Sequence, residues 1–446
     1  MSQFERKSLF RLTLPLFLFT FISIGVTFVD TILLSGYSDN LAAAVSLANQ
    51  ILGVAYDVSG LLSVGALIVI SQHLGRNEQN KAKDIAVIAI QGSLILGSLI
   101  ALGLILGAGF FADWVNTPME LRDDVIAYVY IIAGAMVFNG VITSITAALR
   151  GFGRTVEILL MGLVANAVYI FFEYTLIYGH WGFPEMGVYG AALSTVIVRV
   201  ASIVFLLYVL KAKLNISVFN KPTHFIDQVR RLCKISYPSV GEGMSYNLYQ
   251  LTMVSLIAVL GTTAVLTRSY TLTITSLLSV MSYVISQGNE ILVGYDKGSL
   301  DNETAYKRAN RTAVVTGLIN MLCAYLIYLY GETLIGLFTQ DKEVIAGVTG
   351  LLLISVFITP FNTINLILFN SLKATGDVNR PVIWNLAITF SLALPLGYVA
   401  IRHFEMGVEG LWYVYLVEEV IKALIMFLLW QSKRWKKLEV LEGSPS

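Results

Sequence analysis

Charge is scarce in this chain. Of 446 residues only 13% are Asp, Glu, Lys or Arg, while 56% are hydrophobic, against about a quarter charged in an ordinary soluble domain. That balance excludes a soluble globular domain. The four histidines, at 73, 180, 224 and 403, all fall outside the apolar runs described below. No two stand at metal-ligand spacing, which removes a zinc centre. The two cysteines, Cys233 and Cys323, show neither metal nor disulfide spacing and read as apolar fillers. No Ser-centred elbow and no phosphate-cradling glycine loop occurs, so the chain does not read as an enzyme and no cofactor is expected. A net charge of +1 gives no reason to expect a nucleic-acid partner. No filter-like loop marks a channel, and a monomer with one alternating pathway is expected.

What the chain has instead is long apolar runs, and about 20 residues of helix cross a bilayer core. Twelve spans are predicted. The first six are 9–34, 46–70, 85–111, 125–149, 156–178 and 188–210. After a polar connector, 211–234, come 235–260, 264–293, 312–338, 344–372, 381–401 and 408–430. The domains are thus an N-lobe (1–210), a cytoplasmic linker (211–234), a C-lobe (235–430) and a basic tail (431–446). An even count puts both termini on one side. With the termini inside, the inner segments hold 24 of the 30 Lys and Arg, as cytoplasmic loops do. Four are read as outer charges, namely Arg122, Arg268, Lys342 and Arg402, and Arg199 and Lys422 fall within spans. The first span is too long for a signal-peptide core and lacks a cleavage site. An integral protein of a bacterial or archaeal cytoplasmic (inner) membrane follows.

The hexads EMGVYG (185–190) and EMGVEG (405–410) match at five of six positions. A shift of 223 residues sets Pro15 on Pro238, Ser46 on Ser269, Gly75 on Gly298, Ala82 on Ala305 and Glu120 on Glu343. It also sets Asn139 on Asn362, Leu149 on Leu372 and Gly153 on Gly376, and the hexads then align at a shift of 220. One half of the chain is a copy of the other. Six spans return the chain to its starting side, so the halves are parallel repeats about an axis along the membrane normal. Gly187, Gly190, Gly407 and Gly410 read as architectural, for a tight turn and a close helix approach.

The stretches LRGFGRT (149–155), LIYGHWGFPEMGVYGAALST (176–195), LPLFLFTFISIGVTFVDTILLSG (14–36) and LKATGDVNRP (372–381) resemble the corresponding parts of multidrug and toxic compound extrusion (MATE) transporters, and the resemblance covers nearly the whole chain. It implies an all-α integral membrane fold of two six-helix lobes around a central cavity. It also implies H⁺- or Na⁺-coupled antiport that exports bulky, often cationic or amphiphilic organic compounds by alternating access.

An intramembrane carboxylate is costly and by default functional. Asp30 lies in apolar sequence of the first span, beyond Pro15. Glu173 lies in the fifth, with Tyr169 four and Asn166 seven residues before it on one helical face. By the resemblance, Glu173 falls where relatives usually have Asp, Tyr169 where many have Asn, and Thr195 at a pocket-facing position. Thr195 alone would read as a backbone-bonded packing residue. Such a set could hold Na⁺ through oxygens or exchange protons, and the phenol in place of an amide tilts it toward protons.

In the second half, Glu242 begins a polar stripe with Ser245, Tyr246 and Tyr249, read as facing the substrate cavity. Glu242 would meet a cationic cargo or make a structural hydrogen bond. Asn362 stands where one branch of the family has an acid, so coupling is expected in the first half. Asn362 and its counterpart Asn139 join the cavity residues, with Asp57, a mid-span carboxylate without an evident partner in its own helix. The hydroxyl run Thr271, Thr275, Ser279, Ser282 and Ser286 lines the cavity or packs. Glu290 and Glu332 are expected at span ends within reach of water. Glu418 and Glu419 are expected to pair with Lys422, and Arg199, aligned with Glu419, to pair across the halves or locally.

A major-facilitator transporter would carry a Gly-Asp-Arg-Gly-Arg-like loop where this chain has HLGRNEQNKAKD (73–84). A lipid-linked sugar flippase would have about two more spans and a more cationic cavity. A lipid-linked, glycerophospholipid or other endogenous cargo stays open.

Overall fold

The computed structural model describes residues 7–115, 117–336 and 338–441; residues 442–446 of the expected tail lie outside them. All regular structure among the described residues is helical. The chain divides into two compact units, Met1–Val240 and Gly241–Ser446. The first holds α1 (Leu9–Tyr37), α2 (Asp39–Gly75), α3 (Gln79–Trp114), α4 (Met119–Gly151), α5 (Thr155–Tyr178) and α6 (Val188–Leu214). α7 (Phe225–Ala258) crosses the division. α8 (Thr262–Gly298), α9 (Asn302–Leu329), α10 (Lys342–Ala374), α11 (Asn379–Arg402) and α12 (Gly407–Gln431) follow.

Ten of these twelve are long and apolar enough to cross a membrane. The other two, α7 and α12, fall short only in composition, through the polar stripe from Glu242 and the trio Glu418, Glu419 and Lys422. At 24 residues α5 and α11 are each about 36 Å long, enough for a hydrocarbon core of about 30 Å.

Inside a bilayer a side-chain hydroxyl needs a partner in protein. Along α1 the hydroxyls of Thr20, Ser23, Thr27, Thr31 and Ser35 each donate to a carbonyl one turn back. The outward residues are apolar, with Phe28, Leu106, Val204 and Leu318 more than half exposed, a surface that only lipid covers without cost.

The duplication is visible in the helix boundaries. α2 and α8 begin and end 223 residues apart, as do α4 and α10. Packing repeats too. In the first unit α4 is the hub, touching α2, α3 and α6, and in the second α10 touches α8, α9 and α12. α2 breaks at Gly60, and farther along the chain the α7 backbone comes so close that a Cβ on Gly65 would stand 2.7 Å from the Leu232 carbonyl. The Gly65 N–H donates instead to Ser236 Oγ at 2.7 Å.

The hexad glycines do what the sequence asks of them, in two different ways. Gly187 and Gly407 take left-handed φ values of +51° and +62°. A Cβ on Gly190 would stand 2.5 Å from the Leu176 carbonyl of α5, and one on Gly410 would stand 2.6 Å from Met406 Cβ.

Three expectations need correction. The ninth span, expected at 312–338, is Asn302–Leu329 followed by a short helix Gly331–Ile335, because Asp301 caps a charged first turn by accepting the Thr304 N–H at 3.0 Å. His73, expected outside the spans, is buried in the last turn of α2 and stands 2.6 Å from Glu78. Glu290, expected near water, is buried because α8 runs on to Gly298; Glu332 is exposed.

The tail is docked. Trp435 is fully buried, stacks on Trp430 with centroids 4.3 Å apart and donates from Nε1 to the Trp430 carbonyl. Lys297, at the end of α8, donates to the carbonyls of Trp435 and Lys436, and Lys436 pairs with Glu303 at the start of α9.

Candidate functional site

In the first unit α1 packs on α5, and this brings Asp30, Tyr169 and Glu173 together. The Tyr169 hydroxyl lies 2.8 Å from Asp30 Oδ1 and 3.1 Å from Glu173 Oε1. Glu173 is fully buried, and its side chain is also within hydrogen-bonding reach of Asp30. A phenol has one hydrogen and serves one carboxylate at a time. One phenolic hydrogen cannot serve both carboxyls at once, and Glu173 Oε2 is buried without a partner, so the group has room for a further proton.

Tyr128 on α4, which the sequence reading did not single out, is buried beside this pair and its hydroxyl meets Thr195. The one polar residue a helical turn away, Asp124, belongs to the charged start of α4 and does not flag it. Thr195 itself donates back to the Ala191 carbonyl at 3.3 Å. Asn166 is not joined to the group, and its buried Nδ2 has no hydrogen-bond partner.

A second cluster in the same unit surrounds Asn139, which donates to Ser59 Oγ and accepts from Arg199 at 2.5 Å. Arg199 also lies over the Tyr56 ring, 5.0 Å from its centroid, so it is tied within its own unit. Asp57 lies midway along α2, in the turn just before the Gly60 break, where its carbonyl accepts the Gly60 N–H.

The second unit holds a cavity of ≈ 160 Å³ lined by Tyr246, Tyr249 and Asn362, with Arg268, Trp412 and Tyr415. Glu242 is not in the lining; its Oε1 accepts from Asn385 at 3.4 Å. The hydroxyl run of α8 is divided. Thr275, Ser279 and Ser282 reach the cavity. Thr271 is buried and bonded back to Thr267, and Ser286 bonds across to α10 at Leu366 and Asn370. Arg268, read from sequence as an outer charge, is part of α8 and of the cavity wall.

Behind that wall the unit is richer in acid than its sequence promised. Glu418 is saturated by Tyr249 Oη (2.9 Å), Thr389 Oγ1 (2.8 Å) and Lys422 Nζ (2.6 Å). Glu419 does not share that ion pair; it accepts from Asn365 at 3.3 Å and lies within reach of Asn362. The duplicated asparagines thus have different partners: Asn139 accepts from a guanidinium, whereas Asn362 donates to the Tyr415 hydroxyl at 3.4 Å beside Glu419.

Duplicated helix boundaries, an apolar exterior and buried polar groups inside each unit define an integral membrane transporter built from two homologous halves. The family model described as MatE matches residues 15–175 and again 238–399. The chain belongs to the MATE transporter family, whose members are not enzymes. It is similar to "Uncharacterized transporter YisQ" of Bacillus subtilis, 30% identical over 430 residues that cover 96% of this chain and 94% of that protein. It is also similar to "Probable multidrug resistance protein NorM" of Thermotoga maritima, 26% identical over 447 residues covering 98% and 94%. Two solved structures share its fold. One is the outward-facing conformation of a multidrug resistance MATE transporter of the MOP superfamily (TM-score 0.85, 19% identity, 97% of this chain and 96% of that one). The other is a MOP superfamily transporter from Pyrococcus furiosus described by the reverse polarity of its binding pocket (TM-score 0.84, 20% identity, 96% of each).

Proposed function

We propose that this MATE transporter is a proton-coupled antiporter of small amphiphilic organic compounds, working by alternating access with Asp30 and Glu173 as the proton-carrying pair. The observation that carries this reading is the Tyr169 hydroxyl in contact with both carboxyls. Two carboxyls and one phenol hold a single exchangeable proton well, and a proton entering or leaving changes the charge of a buried site by one unit. In a poorly solvated site that change is worth far more than in water. Sodium is the weaker reading, because it asks for about six oxygens and Tyr169 already engages both acids.

On this reading Tyr169 orients Asp30, Glu173 stores the proton, and Tyr128 with Thr195 closes the site on the α4 and α6 sides. Both termini face the cytoplasm, as the distribution of Lys and Arg supports. Cargo and proton exchange because each stabilises a different orientation of the carrier; coupling requires only that differential affinity. A cationic cargo competing for Asp30 and Glu173 would follow if those acids were open to it. With Tyr169 bonded to both, the amphiphilic part of that expectation is kept, and the charge of the cargo is taken up below.

The test uses purified protein in liposomes loaded with an amphiphilic fluorescent dye, either a cationic ethidium-type dye or an anionic aromatic carboxylate, under an imposed proton gradient or an imposed Na⁺ gradient. Export driven by protons and lost in Asp30→Asn is the expected result. Export driven by Na⁺ alone, or unchanged in Asp30→Asn, would sink the reading.

A further inference from the structure

We propose that the cavity of the second unit is a binding site for an aromatic carboxylate of about one ring, with Arg268 as the anion anchor. This names the cargo class for the transport reading above and rests on it only for the word cargo.

The charge of the lining comes first. Arg268 is the one ionised side chain lining the cavity among the described residues, and none of the lining residues is acidic. The two nearby carboxylates lie outside the lining: Glu418 is held behind Tyr249 by three donors, Lys422 among them, and Glu419 accepts from Asn365 beside Asn362. A cation entering here would meet a guanidinium at close range, whereas an anion would meet its complement.

The hydrogen-bond inventory points the same way. Arg268 donates from Nη2 to Gln250 Oε1 at 2.9 Å, and Gln250 Nε2 donates in turn to Tyr246 Oη at 2.8 Å. This relay fixes the guanidinium and leaves its other N–H groups undirected among the described residues. It also leaves the Tyr246 hydroxyl hydrogen without a protein acceptor. Of the other donors in the wall, Tyr249 is used on Glu418, Trp412 Nε1 on Ser355 at 3.0 Å and Asn362 Nδ2 on the Tyr415 hydroxyl at 3.4 Å, while the Tyr415 hydrogen has no acceptor among the described residues. Unpartnered hydrogens thus outnumber acceptors in the wall, and a planar carboxylate supplies two oxygens to a guanidinium fork.

Size and walls set the rest of the ligand. A volume of ≈ 160 Å³ is close to the roughly 150 Å³ of a cavity that takes benzene. Tyr249, Trp412 and Tyr415 supply aromatic faces for a flat ring.

The test is calorimetric titration of the detergent-solubilised full chain with three flat probes of one shape: benzoate, benzamide and benzamidine. Benzoate is expected to bind at least about tenfold more tightly than either of the others. Arg268→Gln should weaken benzoate by about thirtyfold and leave the neutral amide nearly unchanged, and Arg268→Lys should retain part of the preference. Tyr246→Phe should cost benzoate several-fold, and it serves as the second variant if Arg268→Gln does not fold. Benzamidine binding as tightly as benzoate, no benzoate binding, or an unchanged order in Arg268→Gln would overturn the proposal. Benzoate binding that persists in a protein showing no gradient-driven export would overturn the antiport reading alone, so the two failures are distinct.

Discussion

Tyr169 donates its phenolic hydrogen to Asp30 across 2.8 Å, joining α5 to α1 from positions 139 residues apart. The same oxygen touches Glu173, so one phenol is the shared partner of both carboxyls.

Removing that hydroxyl tests its role. Tyr169→Phe keeps the ring and its packing but takes a hydrogen bond from a charged group, worth about 1.5–3 kcal/mol. Proton-driven export should fall by about tenfold or more, and its dependence on external pH should shift. An unchanged rate and pH profile would reduce Tyr169 to packing.

Lys422 and Glu418 form a buried pair at 2.6 Å. Lys422→Met strands a buried carboxylate and should cost about 3–5 kcal/mol in unfolding stability. Adding Glu418→Gln removes the stranded charge while Tyr249 and Thr389 keep an acceptor, so the double variant should regain much of the loss. A double variant no more stable than Lys422→Met in denaturant titration would contradict this account.

The twin hexads predict unequal tolerance. Gly190→Ala drives a Cβ against the α5 backbone at Leu176 and Ile177, whereas Gly410→Ala meets chiefly Met406, in the connecting turn. Overpacking of the first kind costs about 1–3 kcal/mol, and the second should cost less because a turn can move where a helix cannot. Melting temperatures of the two variants, measured side by side, decide it.

Glu78, in the turn between α2 and α3, gives a pH signature. Burial alone would raise its carboxyl, but hydrogen bonds from Lys81 (2.8 Å) and His73 (2.6 Å) win and hold it below the ordinary glutamate value. Its stabilisation is therefore full above about pH 4.3 and fades as the pH falls below that toward the lower native value. Glu78→Gln should lose about 1 kcal/mol near neutrality, and the difference should close in acid. Stability curves for the two proteins that stay parallel through that range would argue against the pairing.

The fold was legible because a bilayer makes span lengths and apolar runs agree, and because Pro15, Asn139 and Gly153 have counterparts 223 residues on. The acidic face was legible for the same reason: Tyr169 and Glu173 are four residues apart on one helix, and a lone Asp30 in apolar sequence has few bland explanations. Tyr128 was not, since its partners come from other helices and the polar residue one turn before it, Asp124, belongs to the charged start of α4. Arg268 was hidden by a correct rule. Counting Lys and Arg by side gives orientation, yet the count spends each residue on topology and says nothing of a guanidinium two turns inside α8. Glu419 was hidden by its neighbour, because Lys422 has one ammonium and the carboxylate one turn away at Glu418 takes it.

The docked tail bears on biogenesis. Trp435 follows the last helix, and it is buried against Trp430 and tied to the ends of α8 and α9. The piece that joins those ends is therefore made after every helix of its unit. The first unit can complete its packing while the second is still being synthesised, as N-terminal domains do, but the second lacks that joint until its last helix has been made.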